Sequence, residues 1–398
     1  MKTIKGSVTA PKGFLASGIN CGIKKRKLDL ALILSGVPAH AAGVCTKNTV
    51  KAAPVILTGN NLKDGWAQAI IANSGNANCL NGKDGMKWAK DTARAVSSGT
   101  GIAVDDVLVA STGIIGKPLP VERITSAVLS LVKGLSKKGE LSAARAIMTT
   151  DLDDKRIAVA VNIGGKTVRI GGIAKGSGMI CPNMATMLCF ITTDADIEQR
   201  ALKASLKDAV EDSFNMVTVD GDMSTNDTVL VLANGLAKNR RIKYGSRNYD
   251  VFYGALSHVM ACLAKEVAKD GEGAAKFVEI NVKGLKSRQD ARKMAMEIAN
   301  SSLVKTAIAG EDPNIGRIAS SAGASCVKFD ESKMDISLNG IKIVNCGKAR
   351  FDLRPEAKRS MKSMNIKIAV DLKSGKGSAT AWTCDLTEGY IKINARYN

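Results

Sequence analysis

Apolar and polar positions along the chain follow two periods, and each marks a different element. Short, nearly continuous apolar runs at Leu28–Ser35 (LDLALILS) and Gln68–Ala72 predict strands. Apolar residues spaced by three and four predict helices over Gly85–Ser98 and Val121–Leu135. A shorter helix is expected over Leu141–Met148, stopping at Thr149-Thr150-Asp151. The stretch RIAVAVNIGGKTVRIGGIA holds two β-branched runs joined by Gly164-Gly165, a hairpin signal. Further on, Asp196–Phe214 predicts a helix, Thr228–Ala233 a strand, and Tyr249–Lys269 a long helix ending at Asp270-Gly271. Another strand, helix and strand are expected up to Ala309, then more strands around one helix at Pro355–Met364. The fold class is therefore α/β: a mixed α+β sandwich of sheets and helices with several hairpins, without the strict alternation of a doubly wound parallel sheet. No Pro/Ser-rich linker marks a domain boundary, and no repeat or low-complexity segment is present.

One run fits neither period. GSGMICPNMATMLCFITTDA, from Gly176 to Ala195, opens on glycines, carries one Pro, and stays uncharged almost to its end. In its middle stands a single Ala-Thr step, Ala185-Thr186.

Composition narrows the chemistry. The 398 residues are 45% hydrophobic but only 4% aromatic, so the core must be built from Ala, Val, Ile, Leu and Met. No stretch approaches ~18 uninterrupted apolar residues, so no membrane helix is expected. The start, MKTIKGSVTAPKGF, lacks the apolar region of a secretory signal. Nine scattered Cys form no C-x-x-C pair, so no metal site is indicated, and a reducing cytoplasm is the expected compartment. The formal net charge of +20 would attract anions. The basic residues are dispersed, however, and few aromatics lie among them, so nucleic acid is not the expected partner. The densest run, Lys24-Lys25-Arg26-Lys27, reads as a solvated loop before the first strand.

The usual catalytic motifs are absent. His40 and His258 are the only histidines, neither in an informative context, and no H-E-x-x-H occurs. Gly165-Lys166-Thr167 looks like the end of a phosphate-binding loop, but Ala160 stands where its first glycine belongs. Gly176-Ser177-Gly178 is likewise not G-x-S-x-G, since Lys175 and Met179 stand where its glycines belong. An enzyme without histidine chemistry can use a nucleophile that carries its own base. An N-terminal threonine does so, because its α-amine titrates near ~7.7–8.0. Thr186 would become N-terminal if its hydroxyl attacked the Ala185 carbonyl and water hydrolysed the resulting ester. A buried turn or strand is the plainer reading of such a step.

The residues around that step resemble a known family. KGSGMICPNMATMLCFITTDA is similar to the ornithine acetyltransferase (glutamate N-acetyltransferase) signature of arginine biosynthesis, KGSGMIxPNMATMLxFxTTDA. Seven further stretches match in order: IANSGNANCLNG from Ile71, ASTGIIG from Ala110, AIMTTD from Ala146, VDGDMSTNDT from Val219, DGEGAAKF from Asp270, AGEDPNIGRI from Ala309 and CDLTEGYIKINARY from Cys384.

The resemblance implies a fold of the N-terminal-nucleophile type and self-cleavage between Ala185 and Thr186. An α chain of residues 1–185 would carry the oxyanion hole, and a β chain of residues 186–398 would begin with the nucleophile. It implies ping-pong transfer of acetyl from N-acetylornithine to glutamate through an ester on Thr186, with Thr112 and Gly113 stabilising the oxyanion. Thr149, Lys175, Glu272 and Asn394 would contact substrate, with Thr150 as the register alternative to Thr149. No cofactor is implied, although some members take acetyl-CoA as a co-substrate. An α2β2 or larger assembly is expected. Three departures stand out. Ile315 replaces a usual Trp, Ala275 replaces a usual Thr, and the family's final Thr or Ser contact has no counterpart before Asn398. Two readings compete: an N-terminal-Thr amidohydrolase or aminopeptidase of related fold, and a basic nucleic-acid-binding protein whose support is the charge alone.

Overall fold

The computed structural model describes residues 1–181 and 187–395, so the Ala185–Thr186 step lies outside the described residues. Among the described residues there are fifteen strands and eleven helices. In chain order the first part holds β1 (Lys2–Ile4), β2 (Phe14–Ile19), β3 (Leu30–Cys45), α1 (Ala53–Asn61), β4 (Trp66–Asn76), α2 (Gly82–Thr100), β5 (Val107–Ile114), α3 (Val121–Lys133) and α4 (Glu140–Ile147). Then come β6 (Lys155–Ile163), β7 (Lys166–Lys175), β8 (Leu188–Thr193), α5 (Gln199–Glu211), β9 (Thr228–Ala233) and α6 (Arg247–Lys269). The remainder holds β10 (Phe277–Leu285), α7 (Arg288–Asn300), α8 (Ser302–Ala309), α9 (Ile315–Ala324), β11 (Asp335–Leu338), β12 (Ile341–Asn345), β13 (Lys348–Ala349), α10 (Arg354–Ser360), β14 (Asn365–Asp371), β15 (Gly377–Cys384) and α11 (Glu388–Asn394).

The described residues form two compact units. One comprises Met1–Gly176, the segment from Met187 to Asn215, and Met223–Leu263. The other comprises Ser177–Cys181, Met216–Asp222 and the chain from Ala264 on.

The first unit is organised by a nine-stranded mixed sheet of order β1-β6-β7-β8-β9-β3-β4-β5, with β2 also paired to β3. β3 is long enough to serve two neighbours on one side. Its first part pairs with β2 and its last part, His40–Cys45, with β9. Its pairing with β4 breaks register between Leu34 and Ala39, where Pro38 cannot donate to a ladder. The strand period of two is visible in the packing. Leu30 and Leu32 face α2 and α3, whereas Ala31 and Ile33 face α4, so both faces of the sheet are covered. The Gly164-Gly165 hairpin forms as expected, with both glycines at positive φ.

The second unit carries a six-stranded sheet of order β13-β12-β11-β14-β10-β15, on which α7 packs through Ala291, Met294, Ala295 and Ile298. Two expectations fail here. The run ending at Ala309 is not a strand but α8, started by Ser301, whose hydroxyl accepts the Val304 N–H. The last sixty residues hold a second helix, α11, started in the same way by Thr387. In both places a short apolar run is ambiguous, and the capping side chain decides it.

Candidate active site

Thr112 and Gly113 lie within the end of β5. β5 runs parallel to β4, and the register slips at Gly75 and Asn76, so that Asn76 faces both Thr112 and Ile114. Gly75 and Gly113 pair across the slip with φ of 96° and 133°. A Cβ on Gly113 would overlap the Gly75 carbonyl carbon. Gly113 is therefore needed so that two backbones can pass, a constraint from the protein itself. The strand end is held from afar: Asn226 donates through Nδ2 to the Ser111 carbonyl (2.8 Å) and the Ala77 carbonyl (2.7 Å). Sequence reading does not single out Asn226; its only signal is its place in the VDGDMSTNDT motif.

Where α4 ends, the chain turns through Thr149 and Thr150 into Asp151, whose carboxylate is fully buried. Its Oδ1 accepts from Lys155 Nζ (2.9 Å) and from the Gly176 N–H (2.6 Å). Its Oδ2 accepts from the Thr149 N–H (2.9 Å), and Lys175 Nζ stands 3.9 Å away. Burial alone would raise the Asp151 pKa. Lys175, Lys155 and the hydrogen bonds outweigh burial and hold it well below the usual carboxylate range. Thr149 and Lys175, both singled out in the sequence, are thus brought to one carboxylate that was not. Lys24 joins this group: its Nζ donates to the carbonyls of Met148 (2.6 Å) and Leu28 (2.8 Å). The solvated loop read from Lys24-Lys25-Arg26-Lys27 holds for its last three residues only. The Asp29 carboxylate accepts the N–H groups of Cys21 and Lys24, folding the loop so that Lys24 turns inward.

The residue after the Ala-Thr step is fixed on both sides of its peptide. The Met187 N–H donates to Asp227 Oδ1 at 3.1 Å, and its carbonyl accepts from Thr228 at 3.1 Å. Asp227 is fully buried, and burial pushes its carboxyl well above the usual range. As for Asn226, its only signal in the sequence is its place in the VDGDMSTNDT motif.

Glu272 and Asn394 belong to the second unit. Asn394 Nδ2 donates to Glu272 Oε2 at 2.8 Å, from the end of α11. The Glu272 N–H donates to the Ser177 carbonyl, and its carboxylate lies over Gly178, where a Cβ would force the carboxylate to shift. In the same unit Asp220 accepts the N–H groups of Met179 (2.6 Å) and Ile180 (2.8 Å), and Tyr390 donates to it. The two histidines are engaged elsewhere. His40 stacks on Trp66 at 4.1 Å, and His258 lies beside Cys262. Among the described residues no group of three or more His, Cys, Asp and Glu could hold a metal ion, and no helix is long and apolar enough to cross a membrane.

Residues 15–398 match the ArgJ family model. An arginine biosynthesis bifunctional protein ArgJ from Symbiobacterium thermophilum is 49% identical over 401 residues, with 100% of each chain covered. One from Caldanaerobacter subterraneus subsp. tengcongensis is also 49% identical over 401 residues, again with 100% of each covered. The crystal structure of an arginine biosynthesis bifunctional protein ArgJ from Bacillus halodurans superposes with a TM-score of 0.51 at 40% identity, covering 52% of this chain and 97% of that one. The chain belongs to the ArgJ family and is an acyltransferase of arginine biosynthesis.

Proposed function

We propose that the chain cleaves itself between Ala185 and Thr186 and then moves acetyl from N-acetylornithine to glutamate. Residues 1–185 and 186–398 are the α and β chains of this reading. The observation that carries it is the fixing of the chain on either side of the step. Gly176 is held by the buried Asp151 carboxylate and Met187 by Asp227 and Thr228. A nucleophile that must reach first its own preceding carbonyl and then a substrate needs such anchored neighbours.

In the first step the Thr186 hydroxyl attacks the Ala185 carbonyl, the amide becomes an ester, and water releases residues 1–185. The freed α-amine, with a pKa near ~7.7–8.0, takes the proton from the hydroxyl as it attacks the acetamide of N-acetylornithine. The tetrahedral oxyanion is met by the Thr112 hydroxyl and the Gly113 N–H. Collapse expels ornithine, which takes up the proton, and leaves acetyl on Thr186 Oγ. The glutamate amine attacks that ester through a second oxyanion, giving N-acetylglutamate and free Thr186. Lys175 favours the substrate carboxylate. Thr149 supports it, and Glu272 with Asn394 receives the ornithine side-chain ammonium. No cofactor is required. The relatives are called bifunctional, and acetyl-CoA as an alternative donor to glutamate is the second activity this reading assigns. The αβ units pair as α2β2 or higher in the cytoplasm.

Intact mass of purified protein, with N-terminal sequencing, tests the cut. Fragments of 185 and 213 residues, the second beginning Thr-Met-Leu-Cys, are expected; a chain that stays whole sinks the reading. Acetyl transfer from N-acetylornithine to glutamate is then measured against acetate release. Transfer supports the proposal, and release of acetate to water would make the chain a hydrolase.

A further inference from the structure

We propose that Lys24 is a positioning residue for acyl transfer, tying the β4–β5 strand end that carries Thr112 and Gly113 to the Met148–Asp151 segment. This rests on the reading above for its link to chemistry, but the tie itself is a matter of geometry.

Lys24 sits in a loop, outside every motif that suggested function. Its stem lies over Gly75: a Cβ on that glycine would come within 3.2 Å of Lys24 Cγ and 3.8 Å of Cε. Gly75 is the cross-strand partner of Gly113. The ammonium end reaches 124 residues along the chain to the Met148 carbonyl at 2.6 Å, next to Thr149. One side chain therefore lies over the glycine paired with Gly113 and hydrogen-bonds the backbone next to Thr149. The Leu28 carbonyl takes a second hydrogen bond from it (2.8 Å), and Asp29 fixes its own backbone N–H (2.8 Å). A long flexible cation is held at both ends, and these hydrogen bonds offset the rotamer entropy it loses.

The group also titrates in a useful range. Burial is the largest effect, and Lys27 and Lys175 add to it, against Asp29 and Asp151; the balance brings Lys24 down to about 8. The charged form makes both hydrogen bonds charge-assisted, and they weaken when the proton is lost. The tie is therefore intact below about pH 8 and weakens above it. The Thr186 amine works in the opposite sense, since it must be uncharged to act as base. Lys24 thus supplies an alkaline limb to activity and the Thr186 amine an acid limb.

The test uses full-length wild type, Lys24→Met and Lys24→Arg, each checked by intact mass for the same processing. Transfer from N-acetylornithine to glutamate is followed from pH 6 to 10. Lys24→Met should lose roughly 10- to 100-fold in kcat, with KM less affected, as expected from a small misplacement of reacting groups. Lys24→Arg should recover most of that rate and show no alkaline limb up to about pH 10, because guanidinium stays charged. Amide hydrogen exchange is measured on the same samples. In Lys24→Met the amides of 75–76, 112–114 and 148–151 should all exchange about tenfold faster or more. Unchanged exchange at these three segments overturns the tie, whatever the activity. A Lys24→Arg profile that keeps the wild-type alkaline limb overturns the role in transfer. A wild type that neither cuts itself nor transfers acetyl refutes the acetyltransferase reading, and the exchange result then still decides the tie. If Lys24→Met fails to fold, the alkaline limb of Lys24→Arg and its exchange at the same segments decide both points.

Discussion

Asp151 accepts the Gly176 N–H at 2.6 Å across 25 residues of chain, and the same oxygen accepts from Lys155. A carboxylate with no solvent exposure thus fixes the first residue of the GSGMICPNMATM run while neutralising charge on two lysines whose side chains are 2% exposed.

Replacing Asp151 by Asn should therefore be severe. It would leave Lys155 and Lys175 buried without their anion, a loss of about 3–5 kcal/mol. Urea unfolding at pH 7 measures it. The folded pKa of Asp151 is depressed, so its stabilisation is present above the unfolded value near ~3.9 and fades as pH falls below it. The gap between wild type and Asp151→Asn should narrow below pH ~4. A gap that does not change with pH would show that the carboxylate is not the source of the stability.

Asp227 should show the opposite slope. Its folded pKa is raised, so its contribution is most favourable below ~3.9 and declines as pH rises towards its folded value. Asp227→Asn keeps an acceptor for the Met187 N–H and removes the titration. Melting temperatures of the pair, taken from pH 4 to 8, should move in favour of Asp227→Asn as pH increases. Parallel curves would mean that Asp227 is no more costly to ionise in the fold than in the open chain.

Thr112 and Gly113 are separable. Thr112→Val removes one oxyanion donor and should lower kcat by ~10²–10³ with the fold intact. Gly113→Ala places a methyl against the Gly75 backbone at a φ of 133° and should destabilise the protein as well. Kinetics beside a thermal melt distinguish them. A stable, active Gly113→Ala would show that the two strands can part.

Glu272→Ala should raise KM for N-acetylornithine by 10-fold or more, the equivalent of a charged hydrogen bond of ~1.5–3 kcal/mol. KM for glutamate should change less, since the proposed contact is to the ornithine ammonium. Equal changes for both substrates would assign Glu272 to shaping the pocket instead.

Some of the structure is legible in the sequence because it is local. The Gly164-Gly165 hairpin follows from two residues that tolerate positive φ between β-branched runs, and Thr228–Ala233 is the strand its composition suggests. The helix ending at Ala309 is not legible, because eight residues with a short apolar run suit either period, and the choice falls to a hydrogen bond from Val304 to Ser301. Asp151, Asp227 and Asn226 are hidden for another reason. Each is an ordinary polar residue in a polar or mixed stretch, and nothing adjacent shows that it will be covered.

By itself the sequence determined the order and type of most elements and the membership in the ArgJ family, and it singled out the threonine of the proposed mechanism. Those are properties of residue type and near neighbours. The tertiary structure alone decided which charges lose their water. Lys24 reads as one of four solvated cations, yet its hydrogen bonds to Met148 and Leu28 turn it inward and leave it half-buried. Asp151 becomes a strong anion and Asp227 a weak acid, although both are aspartates near strand starts, because one is covered together with two lysines and the other mostly by backbone and hydroxyl groups. Desolvation depends on segments tens to hundreds of residues away, and only the folded chain brings them together.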